Sequence, residues 1–278
     1  ERTARAAAAL RAAGVKHGDA VLFMMRDTPD FAAAWLGAVR AGAVVVALNS
    51  KLAPADLRHV ARDSGARLAV IDEAFVAEGA ALAPEARVLE AAAWDELTRN
   101  TGQAPAFPAT PDSPAFALYS SGTTGRPKGI VHRHQAIFSV GQSFRLLGLG
   151  AGDRVFSTSK FFFAYGLEHG LLAPLALGCT SILYPDWPDA ESVFATVARY
   201  RPDALFSVPT MYRRLLALEP ARPQAFERVR RFVSAGERPS RLLAQHWKET
   251  VGAEMLNLYG MSETFCACIV TPPGTSDG

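Results

Sequence analysis

Short continuous runs of apolar, β-branched residues alternate along the chain with longer segments of helical periodicity. The first part predicts helices at Glu1–Ala13, Asp30–Ala41 and Ala53–Asp63, separated by the strands AVLFMM, AVVVAL and LAVID. Gly14 and Gly42 stand where two of these helices should end. Apolar strands of this kind, set between helices, are typical of parallel sheets covered on both faces. The pattern therefore predicts an α/β fold with mostly parallel, buried strands.

Two punctuating segments divide this pattern. Residues 102–114 are rich in Pro, Ala and small polar residues, and this predicted loop leads into the strand AFALYS. The segment GLGAGD at residues 148–153 precedes a second αβ series with the strands RVFST, TSILY, ALFSV, RFVSA and MLNLY. We predict two packed α/β subdomains, residues 1–150 and 151–278. Ligands of such sheets bind beyond the carboxyl ends of the strands.

Composition excludes several classes of protein. The 278 residues carry a net charge of +2, and the basic residues are scattered, which argues against nucleic-acid binding. The three cysteines have neither the spacing of a zinc site nor that of a disulfide framework. No apolar run reaches the roughly 18 residues of a membrane span. Together with the lack of a targeting signal, this composition predicts a cytoplasmic protein.

The strongest chemical signal is the segment SSGTTGRPKG at residues 120–129, directly after the strand AFALY. Its glycines allow backbone amides to approach an anion, its hydroxyls add hydrogen-bond donors, and its lysine adds positive charge. It differs from the common GxxxxGK[ST] loop. A glycine-rich hairpin turn is the alternative interpretation, but the combination favours polyphosphate binding. The predicted phosphate-binding residues are Ser120, Ser121, Gly122, Thr123, Thr124, Gly125 and Lys128.

This segment resembles the signature loop of the acyl-adenylate-forming superfamily, which includes acyl-CoA synthetases, luciferases and nonribosomal adenylation domains. The resemblance covers essentially the whole chain and implies the fold of that family's large N-terminal domain. It also implies ATP, Mg²⁺ and CoA as ligands. The chain begins within a predicted helix and ends soon after a motif-bearing strand, so we expect a fragment with feeble activity. Family members carry a ribose-binding Asp, a hinge and a small domain with a catalytic Lys beyond the matching point.

Two further blocks resemble family segments that hold the nucleotide. SAGE follows a strand and matches the backbone that lies against adenine; NLYGMSE matches the Tyr-Gly-x-Thr/Ser-Glu motif. The resemblance implies that Tyr259 stacks on adenine, Ser262 contacts the α-phosphate region and Glu263 holds Mg²⁺, with Thr123 as a second metal contact. Alone, these residues would indicate an ordinary turn and a surface carboxylate. The predicted nucleotide-binding residues are Ser234, Ala235, Gly236, Glu237, Asn257, Leu258, Tyr259, Gly260, Met261 and Ser262.

The segment KFFFAYGLEHG at residues 160–170 closely resembles the acid-binding segment of benzoate-CoA ligases and related aryl-CoA ligases. Within it we expect Phe161 and Phe163 to lie in the core. The resemblance implies an aryl pocket lined by Ala164, Tyr165, Gly260, Cys266 and Ala267, with Tyr165 as its gate. Cys266 and Ala267 stand where that subfamily has His and Ile, so we predict a pocket roomier than one for plain benzoate. Filling of that space by Phe265 or another side chain is the alternative.

The implied reaction is adenylation of an aromatic acid followed by thioester formation, with Lys128, Glu263 and Tyr165 in the catalytic positions. Lys128 and Glu263 are then expected to face one cavity. No covalent nucleophile is needed. We expect His134 to be structural and assign no role to His132 or His169. We also predict a homodimer as the assembly of the protein.

Three alternative functions are considered, and the last of them is excluded. The acceptor could be a carrier-protein thiol instead of CoA. A nucleotide-binding module without chemistry would need only the phosphate segment, and the acid-binding segment argues against it. A Rossmann dehydrogenase would need GxGxxG after an early strand, which the sequence does not have.

Overall fold

The structure, a computed structural model, describes residues 1–121, 125–218, 223–265 and 267–275. The candidate site residues Gly122, Thr123, Thr124 and Cys266 lie outside the described residues. The chain forms two compact units, Glu1–Ala136 and Ile137–Gly278. The sequence placed the boundary near residue 150, whereas the units divide within a short helix at residues 134–138.

The first unit is built around a six-stranded sheet with helices between the strands. Its strands are β1 (Ala20–Met24), β2 (Val44–Ala47), β3 (Leu68–Ile71), β4 (Arg87–Glu90), β5 (Pro114–Ser121) and β6 (Pro127–Arg133). Its helices are α1 (Arg2–Ala12), α2 (Pro29–Ala41), α3 (Pro54–Ser64), α4 (Val76–Gly79) and α5 (Ala91–Asn100), followed by α6 (His134–Phe138) at the boundary. Two 3₁₀ turns occupy Glu73–Phe75 and Ala80–Leu82.

The first sheet has the strand order β4-β3-β1-β2-β5-β6. All neighbours are parallel except β5 and β6, which form an antiparallel hairpin. The three strands β1, β2 and β3 are almost wholly buried because helices cover both faces. Thr28 caps α2 by accepting from the Phe31 amide, and Gly42 ends that helix in the left-handed conformation at φ 84°.

The second unit repeats the plan with its own six-stranded sheet. Its strands are β7 (Arg154–Ser157), β8 (Thr180–Ile182), β9 (Ala204–Ser207), β10 (Arg231–Ser234), β11 (Met255–Tyr259) and β12 (Ile269–Val270). Its helices are α7 (Gln142–Leu146), α8 (Ala164–Leu167), α9 (Ala173–Leu177), α10 (Ala190–Tyr200), α11 (Pro209–Leu216) and α12 (Arg241–Val251). A π-helical turn, Glu168–Leu172, joins α8 to α9, and a 3₁₀ turn occupies Pro223–Phe226.

The second sheet has the order β12-β11-β10-β9-β7-β8, and only the β11–β12 pair among its described strands is antiparallel. One side packs an aromatic core in which Trp247 meets Tyr212, Phe226 and Phe232 at ring-centroid distances of 4.8, 5.6 and 5.1 Å. Edge-on packing of this kind adds to the stabilisation from burial alone. This core fixes β10 and β11, whose carboxyl ends carry two of the sequence blocks described above.

The predicted α/β class with mostly parallel sheets is confirmed. No helix among the described residues has both the length and the apolar character needed to cross a membrane.

Candidate functional site

The phosphate segment of the first unit lies in the β5–β6 hairpin. Ser120 pairs directly with Lys128 across the two strands, and Ser121 pairs with Pro127. The sequence treated residues 127–129 as loop, but they begin strand β6, which is the sheet edge and therefore tolerates a proline at its start. Lys128 is exposed, and directly opposite residues have Cβ atoms about 4.5–5.5 Å apart. The hairpin thus presents a hydroxyl and an ammonium group beside each other.

Helix α3 holds this hairpin through two side chains. His59 Nε2 donates to the Pro127 carbonyl at 2.9 Å, and the Tyr119 hydroxyl donates to Asp63 Oδ2 at 2.8 Å. Burial and the Asp63 carboxylate raise the pKa of Tyr119 above its ordinary value, so its hydroxyl stays a donor. The Tyr119 ring covers Gly129, where a Cβ would lie 2.8 Å from the ring. Gly129 is therefore explained by packing, while Gly125, at φ 86°, needs glycine for its backbone conformation.

The two nucleotide blocks of the second unit follow neighbouring parallel strands. Ser234 at the end of β10 pairs in register with Asn257 in β11. Ser234 Oγ and Asn257 Oδ1 are buried, and neither has a hydrogen-bond partner among the described residues. Gly236 follows at φ 88°, a conformation that favours glycine. These two atoms are therefore enclosed polar groups that the described residues leave unsatisfied at the carboxyl end of the sheet.

A cavity of about 320 Å³ opens in the second unit beside these strand ends. This volume is at the lower end of the range of about 300–1,000 Å³ for small-molecule sites. The cavity brings together the acid-binding segment and both nucleotide blocks. Its lining residues are Ser159, Phe163, Ala164, Tyr165, Glu168, His169, Val208, Ala235, Gly236, Leu258, Gly260, Met261, Ser262, Phe265 and Ala267.

Not every predicted residue of this unit lines the cavity. Ser234, Glu237, Asn257, Tyr259 and Glu263 lie in or next to the same blocks but outside the lining. Tyr259 is 51% exposed, and Glu263 is exposed at the turn after β11.

Tyr165 is held in place by its hydroxyl, which donates to the Val233 carbonyl at 3.0 Å. The Tyr212 hydroxyl shares its one proton between this carbonyl, at 3.1 Å, and the Leu205 carbonyl, at 2.9 Å. Burial raises the pKa of both phenols, so both remain neutral donors. Tyr165 is thereby tied to the strand that leads into the SAGE block.

The segment before the pocket is anchored by a buried lysine. Lys160 Nζ donates to the carbonyls of Tyr184, Pro185 and Asp186 at 2.7, 3.0 and 3.1 Å. These three acceptors offset the cost of burying an ammonium group. Gly166 in α8 packs against the backbone of this same segment, where any side chain would meet carbonyl oxygens.

Two phenylalanines differ from expectation. Phe161 is buried in the core as predicted, but Phe163 is 45% exposed and lines the cavity, so its core assignment is wrong. The reason is that residues 161–163 form a turn before α8, so the two side chains are not held on one face as residues two apart in a strand would be. Phe265, at φ 59° and 2% exposed, also borders the cavity. Phe265 and Ala267 both border the cavity, and filling of the space beside Ala267 by Phe265 stays a prediction.

Glu168 and His169 are cavity residues that the sequence did not indicate. Both lie in the π-helical turn and are buried, with Glu168 2% exposed and His169 fully buried. π-helical turns are frequent at functional sites. The available signal was two polar residues inside the otherwise apolar run AYGLEHGLLAPL.

The contacts of His169 define its protonation state. Nδ1 lies 3.1 Å from the Tyr165 carbonyl, which can only accept, so Nδ1 carries the proton. Nε2 then accepts from the Ser143 hydroxyl at 3.2 Å. Burial lowers the pKa of His169, although the neighbouring Glu168 carboxyl opposes this shift. The neutral imidazole is therefore the folded form.

This assignment gives a pH prediction. The pKa of a histidine in the unfolded chain is about 6.5. Below that pH the unfolded chain binds a proton at this residue, whereas folded His169 stays neutral. The free energy of unfolding should fall as the pH drops from about 6.5 towards the lower folded pKa. His169→Asn keeps a donor near Nδ1 without titrating, so its loss of stability between pH 6.5 and 5.5 should be smaller. Urea unfolding at both pH values measures this.

His134, whose pKa is also lowered by burial, should leave some pH dependence in the variant. Equal pH dependence in the wild type and His169→Asn would contradict the assignment.

The model of the AMP-binding enzyme family matches residues 1–278. The chain belongs to this family. A 3-hydroxybenzoate–CoA/4-hydroxybenzoate–CoA ligase of Thauera aromatica is 43% identical over 274 residues, covering 92% of this chain and 52% of the relative. The chain thus spans about half the length of the curated relatives it matches.

Solved structures of the family have the same fold. The benzoate CoA ligase of Burkholderia xenovorans LB400 superimposes with a TM-score of 0.92 at 32% identity, covering 99% of this chain and 57% of that one. The anthranilate CoA ligase AuaEII in complex with anthranoyl-AMP gives a TM-score of 0.93 at 27% identity, covering 99% and 55%. The predicted similarity to the acyl-adenylate-forming superfamily and its aryl-CoA ligases is confirmed.

Of the candidate residues, one exposed carboxylate suits a magnesium ion, but they do not form a cluster of metal ligands. No cluster of three or more His, Cys, Asp or Glu side chains suited to a metal occurs in the part of the chain that the structure describes. Mg²⁺ in nucleotide enzymes is commonly bound through one or two carboxylates, substrate phosphates and water. The exposed carboxylate of Glu263 suits that mode.

Proposed function

We propose that the full-length protein activates an aromatic carboxylic acid with ATP and transfers the acyl group to CoA. The observation that carries this proposal is the cavity in the second unit. Its wall combines Ala164 and Tyr165 of the aryl-CoA ligase-like segment with Ala235, Gly236 and Ser262 of the nucleotide blocks. An acid bound there would have its carboxylate next to the segments that resemble the family's nucleotide-binding motifs.

In the first step, a carboxylate oxygen bonds to the α-phosphorus of ATP while the bond to the pyrophosphate oxygen breaks. In the second step, the CoA sulfur bonds to the acyl carbon, AMP leaves and the thiol proton passes to solvent. Both reactants of the first step are anionic, so the protein must align them and balance their charge. Alignment is the task we assign to the Tyr165 side of the cavity, whose hydroxyl bond to Val233 fixes the wall.

We assign the phosphates of ATP to Ser120, Lys128 and the amides of the hairpin, following the pairing of these two side chains across β5 and β6. Adenine is assigned to Tyr259 and to the backbone of Ala235 and Gly236. Glu263 is assigned to Mg²⁺, which would neutralise phosphate charge when bound. We place the enzyme in the cytoplasm, which supplies ATP and CoA. The formation of a homodimer stays a prediction.

Pyrophosphate release by the full-length protein, measured with a panel of aromatic acids and ATP, tests this function. The expected result is release that depends on the acid, followed by thioester formation when CoA is added. Binding of ATP without acid-dependent release would instead favour a nucleotide-binding module. Thioester formation with a carrier protein but not with CoA would identify the other acceptor.

The size of the acid pocket gives a separate prediction. Ala267 lines the cavity, and Ala267→Ile adds three carbons to its wall. A methylene-scale change in an apolar pocket alters discrimination by about 10- to 200-fold. We expect kcat/KM for substituted benzoates to fall by at least about 10-fold relative to unsubstituted benzoate. Pyrophosphate release with benzoate and its methyl derivatives measures the ratio.

An unchanged ratio would show that Phe265, rather than Ala267, limits the pocket. Phe265→Leu would then be the informative variant, because it shortens the other side chain on that wall.

A further inference from the structure

The cavity contains one carboxyl side chain, Glu168, among its described lining residues. Glu168 begins the π-helical turn and is 2% exposed. Its Oε2 accepts a hydrogen bond from the Ala267 amide at 3.0 Å. This contact fixes the carboxyl group at the cavity wall and ties the pocket segment around Ala267 to the turn.

The second oxygen of this group is available to a ligand. Among the described residues, Glu168 Oε1 has no hydrogen-bond partner. Oε1 is not among the enclosed, unsatisfied polar atoms of the described residues, so it is open to the cavity, where the donor of a ligand can reach it.

His169 does not supply that donor. It lies 3.7 Å from Oε2 through Nδ1, and Nδ1 donates to the Tyr165 carbonyl instead. Its other nitrogen is occupied by the Ser143 hydroxyl. The remaining neighbours in the wall are mostly apolar, including Phe163, Val208 and Leu258.

We propose that Glu168 is a specificity-determining residue that accepts a hydrogen bond from a hydroxyl or amino substituent on the aromatic ring of the substrate. This inference rests on the proposed function. The acid then binds with its substituent towards Glu168 and its carboxylate directed away, towards the nucleotide blocks in the cavity wall. One residue thus selects the substrate and sets its orientation.

Steady-state kinetics on the full-length protein test this assignment. Each hydroxybenzoate and aminobenzoate is compared with the methylbenzoate substituted at the same ring position, which is similar in size and lacks a donor. The wild type should favour the donor-bearing acid at one ring position by about 10-fold or more in kcat/KM.

Glu168→Gln keeps an oxygen for the Ala267 amide but turns an N–H towards the substrate. We expect the ratio of hydroxy to methyl acid to fall by about 10- to 100-fold, the range for a lost hydrogen bond to a charged group. Benzoate serves as the internal reference, and Glu249→Gln, an exposed carboxylate on α12, should leave the ratio unchanged.

Several results would overturn the proposal. Equal loss for hydroxy and methyl acids in Glu168→Gln would mean that the residue acts only through Ala267. A wild type that prefers methylbenzoates at every position would exclude the hydrogen bond without needing any variant. Turnover of benzoates without donor preference would overturn this inference alone, whereas no acid-dependent pyrophosphate release would overturn it together with the proposed function.

Discussion

In the full-length protein, and under the proposed function, Glu263→Gln is expected to lower acid-dependent pyrophosphate release by about 100-fold, the scale for losing one preorganised electrostatic contact. Glutamine preserves the size of the side chain and one oxygen but removes the negative charge that attracts a hard cation. Because Glu263 is exposed at the turn after β11, the substitution should not disturb folding. The measurement is the initial rate over a range of Mg²⁺ concentrations, where the variant should need more Mg²⁺ for half-maximal activity.

The matched control is Glu249→Gln. Glu249 is also a carboxylate of the second unit, but it lies on α12, where it accepts from Gln245 in its own helix. Its substitution should change neither the rate nor the magnesium dependence. If Glu263→Gln behaved like this control, the metal assignment would be wrong.

Gly166→Ala is expected to destabilise the protein by about 3 kcal/mol or more, at the upper end of the cost of overpacking. An added Cβ would lie 2.5 Å from the Ser159 carbonyl oxygen and would also collide with the Lys160 carbonyl oxygen. The backbone there has little freedom to move, because Lys160 is held by three carbonyls. Urea unfolding measures the loss, and binding of the aromatic acid should weaken with it because Gly166 follows Tyr165.

Gly150→Ala is the control for this substitution. A Cβ at Gly150 would meet no atom within 4 Å, and its φ is not positive. This variant should stay within about 0.5 kcal/mol of the wild type. A Gly166→Ala protein as stable as the control would show that the backbone of residues 159–160 can move at little cost. The close packing at Gly166 would then contribute nothing to the free energy of unfolding.

Most of the fold could be predicted from the sequence because buried parallel strands have a strong apolar signature. β1, β2 and β3 appear as uninterrupted runs, and their helices end at glycines. β4 was not predicted because only Leu89 of its residues is buried, so the sequence has no apolar run there. β6 was not predicted because it begins with a proline inside the phosphate segment and because only Pro127 and His132 of its residues are buried, which leaves no apolar run.

The candidate site was predictable where a motif constrains it. Ala164, Tyr165, Gly260 and Ala267 were expected from local resemblance, and all four line one cavity. For Glu168 the only sequence signal was its place in an apolar run, and that signal is weak because polar residues within a helix normally lie on its solvent side. Its burial depends on a wide helical turn that the local residue pattern does not encode, and on the Ala267 amide, far away in sequence.

The π-helical turn at Glu168–Leu172 has a consequence for how this pocket can change. Such a turn holds one residue more than an α-helical turn, and each helical residue rotates the chain by about 100°. Loss of a single residue there would let α8 and α9 merge into one regular helix. The residues before the loss, which include Ala164 and Tyr165, would then rotate by about 100° relative to those after it, so a one-residue length change would give the pocket a different set of wall side chains.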